Sequence, residues 1–198
     1  MKATFFIILC LILTPCFAQQ FEGKIVFQNS FQSKSGDTPN EYLNQLFGTT
    51  HNYQVKNGNY KLSGNGKLLQ WQIYVVQGNK LFTKLAAGDK LGIKDLGKEV
   101  EKVKNVKVNR KSTEILNYIC DEFIIHCKNS THRYFIDSSL NLNPEIFNTS
   151  KFNHQLAFLL KNQILPLKMV IEDEMSICES IAIEIKEEKI DENIFVVK

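Results

Sequence analysis

Proline is scarce, with 4 in 198 residues, and no Pro-rich linker, internal repeat or low-complexity segment interrupts the chain. A second domain joined by a flexible tether therefore has no signature here. Past the N-terminal stretch, no apolar run approaches the roughly 20 residues that a membrane-spanning helix needs. Charge of one sign is also missing. The formal net charge is +3, and basic residues are spread among acidic ones. Only Lys98 to Lys111 is locally basic, and its alternation with valine reads as the exposed face of a strand. Nucleic acid is not an expected partner, because the basic footprint it needs is absent.

The motifs of catalysis are missing as well. There is no G-x-S-x-G elbow, no H-E-x-x-H helix and no Walker loop. The stretch SGNGKLL has Lys61 where a phosphate loop needs its first glycine and Leu68 where it needs Ser or Thr, so it reads as a hairpin turn. The four histidines are His51, His126, His132 and His154. His126 and His132 flank a turn near Cys127, but without a third ligand they read as exposed strand histidines. Carboxylates cluster at Glu172 to Glu174 and from Glu187 to Glu192, where turns keep them in water. An acid and base pair needs a fixed separation across a cleft, and no such pair is set. Neither an enzyme, a metal site nor a cofactor is expected.

What is present begins at the N-terminus. Lys2, an apolar run from Ala3 to Leu13, and Cys16-Phe17-Ala18 form the layout of a secretory signal peptide, with cleavage between Ala18 and Gln19. The run is too short for a membrane anchor. Lipid attachment at Cys16 is the lesser alternative, since Pro15 stands where a small residue is wanted. The expected mature chain, residues 19–198, is a single periplasmic or secreted domain with no membrane span.

Alternation of period two dominates the rest. Candidate strands run through GKIVFQNSF, NYQVKNGNYKLSG, LLQWQIYVVQGNKLFTKL, YICDEFIIHC, THRYFIDSS, LKMVIEDE and ICESIAIEIKEE. Turns are expected at Asn57-Gly58, Gly78-Asn79, Gly88-Asp89, Lys128-Asn129-Ser130 and Glu174-Met175-Ser176. Val100, Val103, Val106 and Val108 read as a short strand or loop. Ile181, Ile183 and Ile185 are expected on one face of the last main strand. The closing IFVVK is expected to dock as a short edge.

Two segments read as helices. KFNHQLAFLLKNQ places Phe152, Leu156, Leu159 and Leu160 on one face of about three turns, with Asn148, Thr149 and Ser150 as caps and Pro166 beyond its end. TPNEYLNQLFGT puts Tyr42, Leu43, Leu46 and Phe47 on one side and Gly48 as a stop. The fold class is thus mainly β (α+β), a large antiparallel sheet with one or two short helices. With 14 phenylalanines, the chain can build either an ordinary filled core or a curved sheet that leaves an apolar cavity beneath its helix.

Cys120, Cys127 and Cys178 remain after signal removal. Cys120 and Cys127 lie seven apart on one strand, so they face opposite ways and cannot easily pair or share a metal. Cys178 with either Cys120 or Cys127 is a possible disulfide, contributing roughly 4 kcal/mol by loop closure. Three buried thiols acting as small apolar side chains is the other reading.

STEILNYICDEFII resembles a recurrent T-x-x-I-x-G-Y-x-C segment of exported Gram-negative proteins of unknown function, through Thr113, Ile115, Tyr118, Cys120 and Phe123. Asn117 stands where glycine is common. Leu165, Pro166 and Leu167 resemble the family's strand entry, and Ile190, Asp191 and Phe195 its ending. The family is related to a group named for a Gly-Leu-Pro-Gly-Leu-Ile motif, which this chain lacks. Its members resemble the LolA/LolB-like lipoprotein-carrier fold. The resemblance implies an incomplete, strongly curved β-barrel with helices across its concave face.

These readings converge on a secreted or periplasmic binding protein for a lipid or other hydrophobic ligand, without catalysis. The expected lining residues are Phe152, Leu156, Leu159, Leu160 and Trp71. The alternative is an envelope structural or protein-interaction module whose core is filled by its own side chains.

Overall fold

The structure, a computed structural model, describes residues 21–96, 103–148 and 155–197. Eleven strands form one sheet: β1 (Gly23–Ser33), β2 (Thr50–Lys56), β3 (Asn59–Gly64), β4 (Leu69–Val75), β5 (Lys80–Leu85), β6 (Leu91–Asp95), β7 (Val103–Ile115), β8 (Tyr118–Cys127), β9 (Thr131–Asp137), β10 (Pro166–Glu172) and β11 (Ser176–Glu187). Three short helices accompany them: α1 (Asn40–Phe47), α2 (Glu145–Asn148) and α3 (Gln155–Lys161).

The sheet is antiparallel throughout, in the order β6-β5-β4-β3-β2-β1-β11-β10-β9-β8-β7. The chain starts at the centre, walks out to one edge, and resumes at the opposite edge to walk back. Eight residue steps separate Asp95 from Val103, a reach of at most about 28 Å. Eleven strands laid flat would measure about 48 Å across. The sheet must therefore curl until its edges approach. Those edges, β6 and β7, do not pair with each other. The result is a strongly curved, incomplete barrel, as the alternation and the family resemblance lead one to expect.

The turn chemistry explains how the meander closes. Lys56 pairs with Asn59 across a two-residue loop in which Asn57 (φ 51°) and Gly58 (φ 75°) are both left-handed. That is the type I′ geometry that matches strand twist. The β7–β8 turn uses Leu116 (φ 49°) and Asn117 (φ 67°) in the same way. A glycine at position 117 would adopt this conformation at no steric cost.

Alternation then sorts side chains onto two faces. The concave face carries Ile25 and Phe27 of β1, Tyr53 and Val55 of β2, Tyr60 and Leu62 of β3, Tyr74 of β4, Leu81 of β5, Phe123 and Ile125 of β8, and Tyr134 and Ile136 of β9. Phe147 of α2 and Leu156, Ala157, Leu159 and Leu160 of α3 join the same cluster. The convex face holds two separate patches. One gathers Ile115, Cys120, Phe135 and Leu167. The other packs Ile73, with Trp71, Val75 and Phe82 beside it, under Ile190 and Phe195 from the C-terminal segment.

Several expectations are corrected. Val103 to Val108 is neither short nor a loop: β7 is 13 residues long, irregular between Asn109 and Thr113. Ile181 and Ile185 do not share a face. Ile181 stands opposite Gln28 and Ile185 opposite Ile25, and the register shift between them leaves Ile183 unpaired and half-exposed. One extra residue inverts the alternation on either side of it. The IFVVK segment adds no strand; Glu192–Phe195 is a 3-10 turn against the convex face. Helix α1 has no buried residue and does not join the concave cluster. The expected helix is seen as α3 over Gln155–Lys161, preceded by the short α2 at Glu145–Asn148; Thr149, Ser150, Phe152 and His154 lie outside the described residues. The proposed signal segment and its Cys16 lie outside them too.

Candidate binding concavity

The concavity has two ends of different chemistry. At one end lie the Asn57-Gly58 turn and the β9–β10 connection that carries α2 and α3. At the other lie α1 and the two hairpins around Lys128–Ser130 and Asp173–Met175.

The α3 end is apolar. Leu159 is fully buried, Leu160 and Leu156 nearly so. Phe147 of α2 sits 5.4 Å from the Phe123 ring and 6.0 Å from Phe158, centroid to centroid. Helix α3 ends in a tight turn in which the Ile164 N–H donates to the Leu159 carbonyl at 2.8 Å. A cleft of about 10 Å³ opens beside it, lined by Phe21, Val55, Gly58, Leu160, Ile164 and Leu165 among others. That is the room of one water.

The middle of the concavity is aromatic. Phe27, Tyr53, Tyr60 and Tyr74 come from four successive strands, with centroids 5.5, 5.6 and 5.6 Å apart. Such edge and tilted contacts are the favoured geometries for rings. Burial pushes all three tyrosines up from the usual phenol range, so each stays a neutral hydroxyl. The Tyr74 hydroxyl donates to Asn79 Oδ1 at 2.8 Å.

The α1 end is polar. Asn29 follows Ile25 and Phe27 on the concave side of β1 and is 4% exposed, yet neither its amide oxygen nor its amide nitrogen meets a hydrogen-bond partner. Its strand neighbour is Ser180, 8% exposed, next to Met169. Cys178, two residues before Ser180, shares that face. Its thiol is pushed up to about 11, first by burial. Tyr53 feels Cys178 electrostatically, which brings that hydroxyl toward the same region. His51 stands opposite Phe27 and hydrogen-bonds the Phe47 carbonyl through Nε2 at 2.9 Å. Burial holds the His51 imidazole below its ordinary value, so it is neutral near pH 7. His132 is 1% exposed and stacks 6.3 Å from Tyr134.

Charge is confined to paired positions nearer the β7 edge. On the concave side, Arg110 Nη1 meets Asp121 Oδ2 at 2.5 Å, and the Lys111 N–H donates to Asp121 Oδ1 at 2.8 Å. On the convex side, Arg133 Nε and Asn109 Nδ2 both donate to Glu122 at 2.7 Å. These carboxylates are satisfied by neighbours on their own strands' flanks, so they serve the sheet. A second cleft, about 320 Å³, lies outside the concavity between α1 and the β3–β4 turn, lined by Glu41, Asn44, Gln45, Thr49, Asn65 and Lys67. The SGNGKLL segment thus forms that turn, braced on α1 by Lys67 N–H to the Gln45 carbonyl and Leu68 N–H to the Leu46 carbonyl.

The structure brings Leu156, Leu159 and Leu160 together in the concave cluster. Phe152 lies outside the described residues. Trp71 is a correction: it packs on the convex face beside Ile73 under the C-terminal segment, away from α3. The possible Cys178 disulfide with Cys120 or Cys127 is also corrected, because among the described residues neither pair is bridged. Cys178 is on β11 and the others on β8, with β9 and β10 between them. Three strand spacings are about 14 Å, more than twice a disulfide's usual Cα separation. His126 and His132 point to opposite faces, since Ile125, not His126, stands opposite His132. His132 is buried, not exposed. Asn29 is the residue sequence reasoning missed. Its only signal was an asparagine on the apolar phase of GKIVFQNSF.

No family model and no curated protein matches the chain. Among solved structures, PNGF-II in its P21 space group is similar at 15% identity over 87% of this chain, with a TM-score of 0.48. PNGF-II in its C2 space group is similar at 14% identity over 88%, with a TM-score of 0.47. The chain spans 29% of the length of those structures. A likeness at this level is silent on activity.

Proposed function

We propose that the chain binds a lipid or other hydrophobic ligand on its concave face, without catalysis. One observation carries the reading. An apolar face drawn from an eleven-stranded curved sheet is covered, among the described residues, by helices of only four and seven residues. The concave residues are buried beneath this small cover, so a ligand would reach them by displacing the short helices, which few residues hold in place. An acyl-like group entering there would replace contacts that the helices now make, gaining about 25 cal/mol per Å² of the ligand's own apolar area removed from water. The same proposal keeps the family resemblance to exported LolA/LolB-like proteins, with the mature chain in the periplasm or outside the cell after cleavage at Ala18.

A second reading, an envelope structural or interaction module, is favoured by the burial of Leu156, Leu159 and Leu160 in the core and by the one-water size of the cleft beside Leu160. Native mass spectrometry separates the two. The protein is purified without detergent from an exporting host and sprayed before and after exposure to a lipid panel. A bound acyl species, and later unfolding when it is added, supports the carrier. A clean apo mass with no uptake supports the module.

A further inference from the structure

On the concave side Arg110 pairs with Asp121, His132 with Ser130 and Tyr74 with Asn79, whereas Asn29 stands among apolar neighbours. Period-two alternation aims this side chain inward with Ile25 and Phe27; the residue is 4% exposed and, among the described residues, both polar atoms of its amide are unpartnered. A buried polar group left without a partner is costly, and native interiors pair nearly all of theirs. The neighbours do not compensate. Phe27 and Phe31 flank it on β1, and Ser180 and Met169 follow across β11 and β10. Asn29's own N–H is already used, donating to the Thr49 carbonyl at 2.8 Å. An amide that offers both a donor and an acceptor recognises a group that can do the same.

The charge state of the surroundings narrows the class. Ser180 cannot ionise. Burial raises the Cys178 thiol and the Tyr53 phenol and lowers the His51 imidazole, which leaves all three neutral near pH 7. The paired Arg110 lies at the far side of the concavity, on β7, with Asp121. His132 faces the same side from β9, three strands from Asn29, and is engaged by Ser130 at 2.6 Å, so an anionic headgroup would find no adjacent counter-charge and would meet a high desolvation cost.

We propose that Asn29, with Ser180 beside it, is the polar seat of the concavity and takes the uncharged hydrogen-bonding group (ester, amide or hydroxyl) of an otherwise apolar ligand. The inference rests on the ligand-binding reading above. It specifies which end of the concavity holds the headgroup, and it excludes free fatty acid anions as the preferred class.

The test uses the mature full chain with monooleoylglycerol, oleate at pH 9 and an 18-carbon alkene as probes, measured by tryptophan-independent displacement of an environment-sensitive dye. Monooleoylglycerol is expected to bind at least tenfold more tightly than oleate or the alkene. Asn29→Leu is expected to lose that preference while keeping the alkene. Its melting temperature should hold or rise, since an apolar replacement removes an unpartnered amide. Asn29→Ala serves if the leucine does not fit. Equal binding of monooleoylglycerol by wild type and either variant overturns the seat, as does oleate binding as tightly as monooleoylglycerol. If all three probes bind wild type alike, the concavity binds ligand but has no seat. If none binds wild type, the ligand-binding reading falls, and the seat with it.

Discussion

The two ends of the concavity are built on the same sheet from opposite materials. At the α3 end, leucine and phenylalanine from two short helices plug the apolar face, with a cleft of about 10 Å³ beside Leu160. At the α1 end, the same strands present Asn29, Ser180, Cys178 and His51, and α1, with no buried residue, packs on β1 through Phe47 against Phe31. The difference teaches where stability and recognition can be separated. The plugged end is redundant apolar packing, in which any lost methylene is felt. The polar end contains a group that the fold itself does not satisfy, so the fold can do without it.

The largest effect should follow from opening the plugged end. Leu159→Ala removes a fully buried side chain and is expected to cost about 2–5 kcal/mol in denaturant-induced unfolding. A cost below about 1 kcal/mol would mean that α3 is not an integral part of the core and that the contrast between the ends is drawn too sharply.

The convex face supplies the control. Deleting residues 190–198 exposes Ile73 and the flank of Trp71. Trp71 is the only tryptophan in the chain. Its emission is expected to shift to the red on truncation, with a stability loss of about 3 kcal/mol for two buried side chains. Ligand added to the intact protein should leave that emission unchanged, because Trp71 faces away from the concavity. A ligand-induced shift would move the site, or its coupling, to the convex face.

The smallest effect belongs to the hairpin at the α1 end. Burial would raise the Asp173 carboxyl, but the N–H groups of Met175 and Ser176, the Ser176 hydroxyl and Lys34 outweigh it and hold it below 3.8. A depressed carboxylate contributes stability that is present above its unfolded value and is lost as pH falls through the folded one. Asp173→Ala should therefore lower the melting temperature slightly at pH 6 and by less as pH falls toward 2. The side chain is exposed, so the change should be small. An effect that persists unchanged at pH 2 would assign the loss to turn geometry rather than to the charge.

Much of the fold was legible residue by residue. Asn57-Gly58, Gly78-Asn79, Gly88-Asp89 and Lys128-Asn129-Ser130 all connect strands where expected, because left-handed or tight turns demand those residue types. Gly48 (φ 92°) stops α1 as expected. The face of each strand was legible only between bulges. A bulge costs no recognisable residue, yet it turns every later side chain over, which is why Ile181 and Ile185 part company.

By itself the sequence determined most of the strands, their turns, the alternation between bulges and the supply of apolar side chains. All of these are local, set by backbone sterics and by a period of two. Tertiary structure decided what that alternation faces. The order of strands put β9 and β10 between the cysteines, the docking of the C-terminal segment took Trp71 to the convex side, and the curl of the sheet turned Asn29 inward. Each depends on contacts between residues far apart in the chain, whose pairing no local pattern encodes.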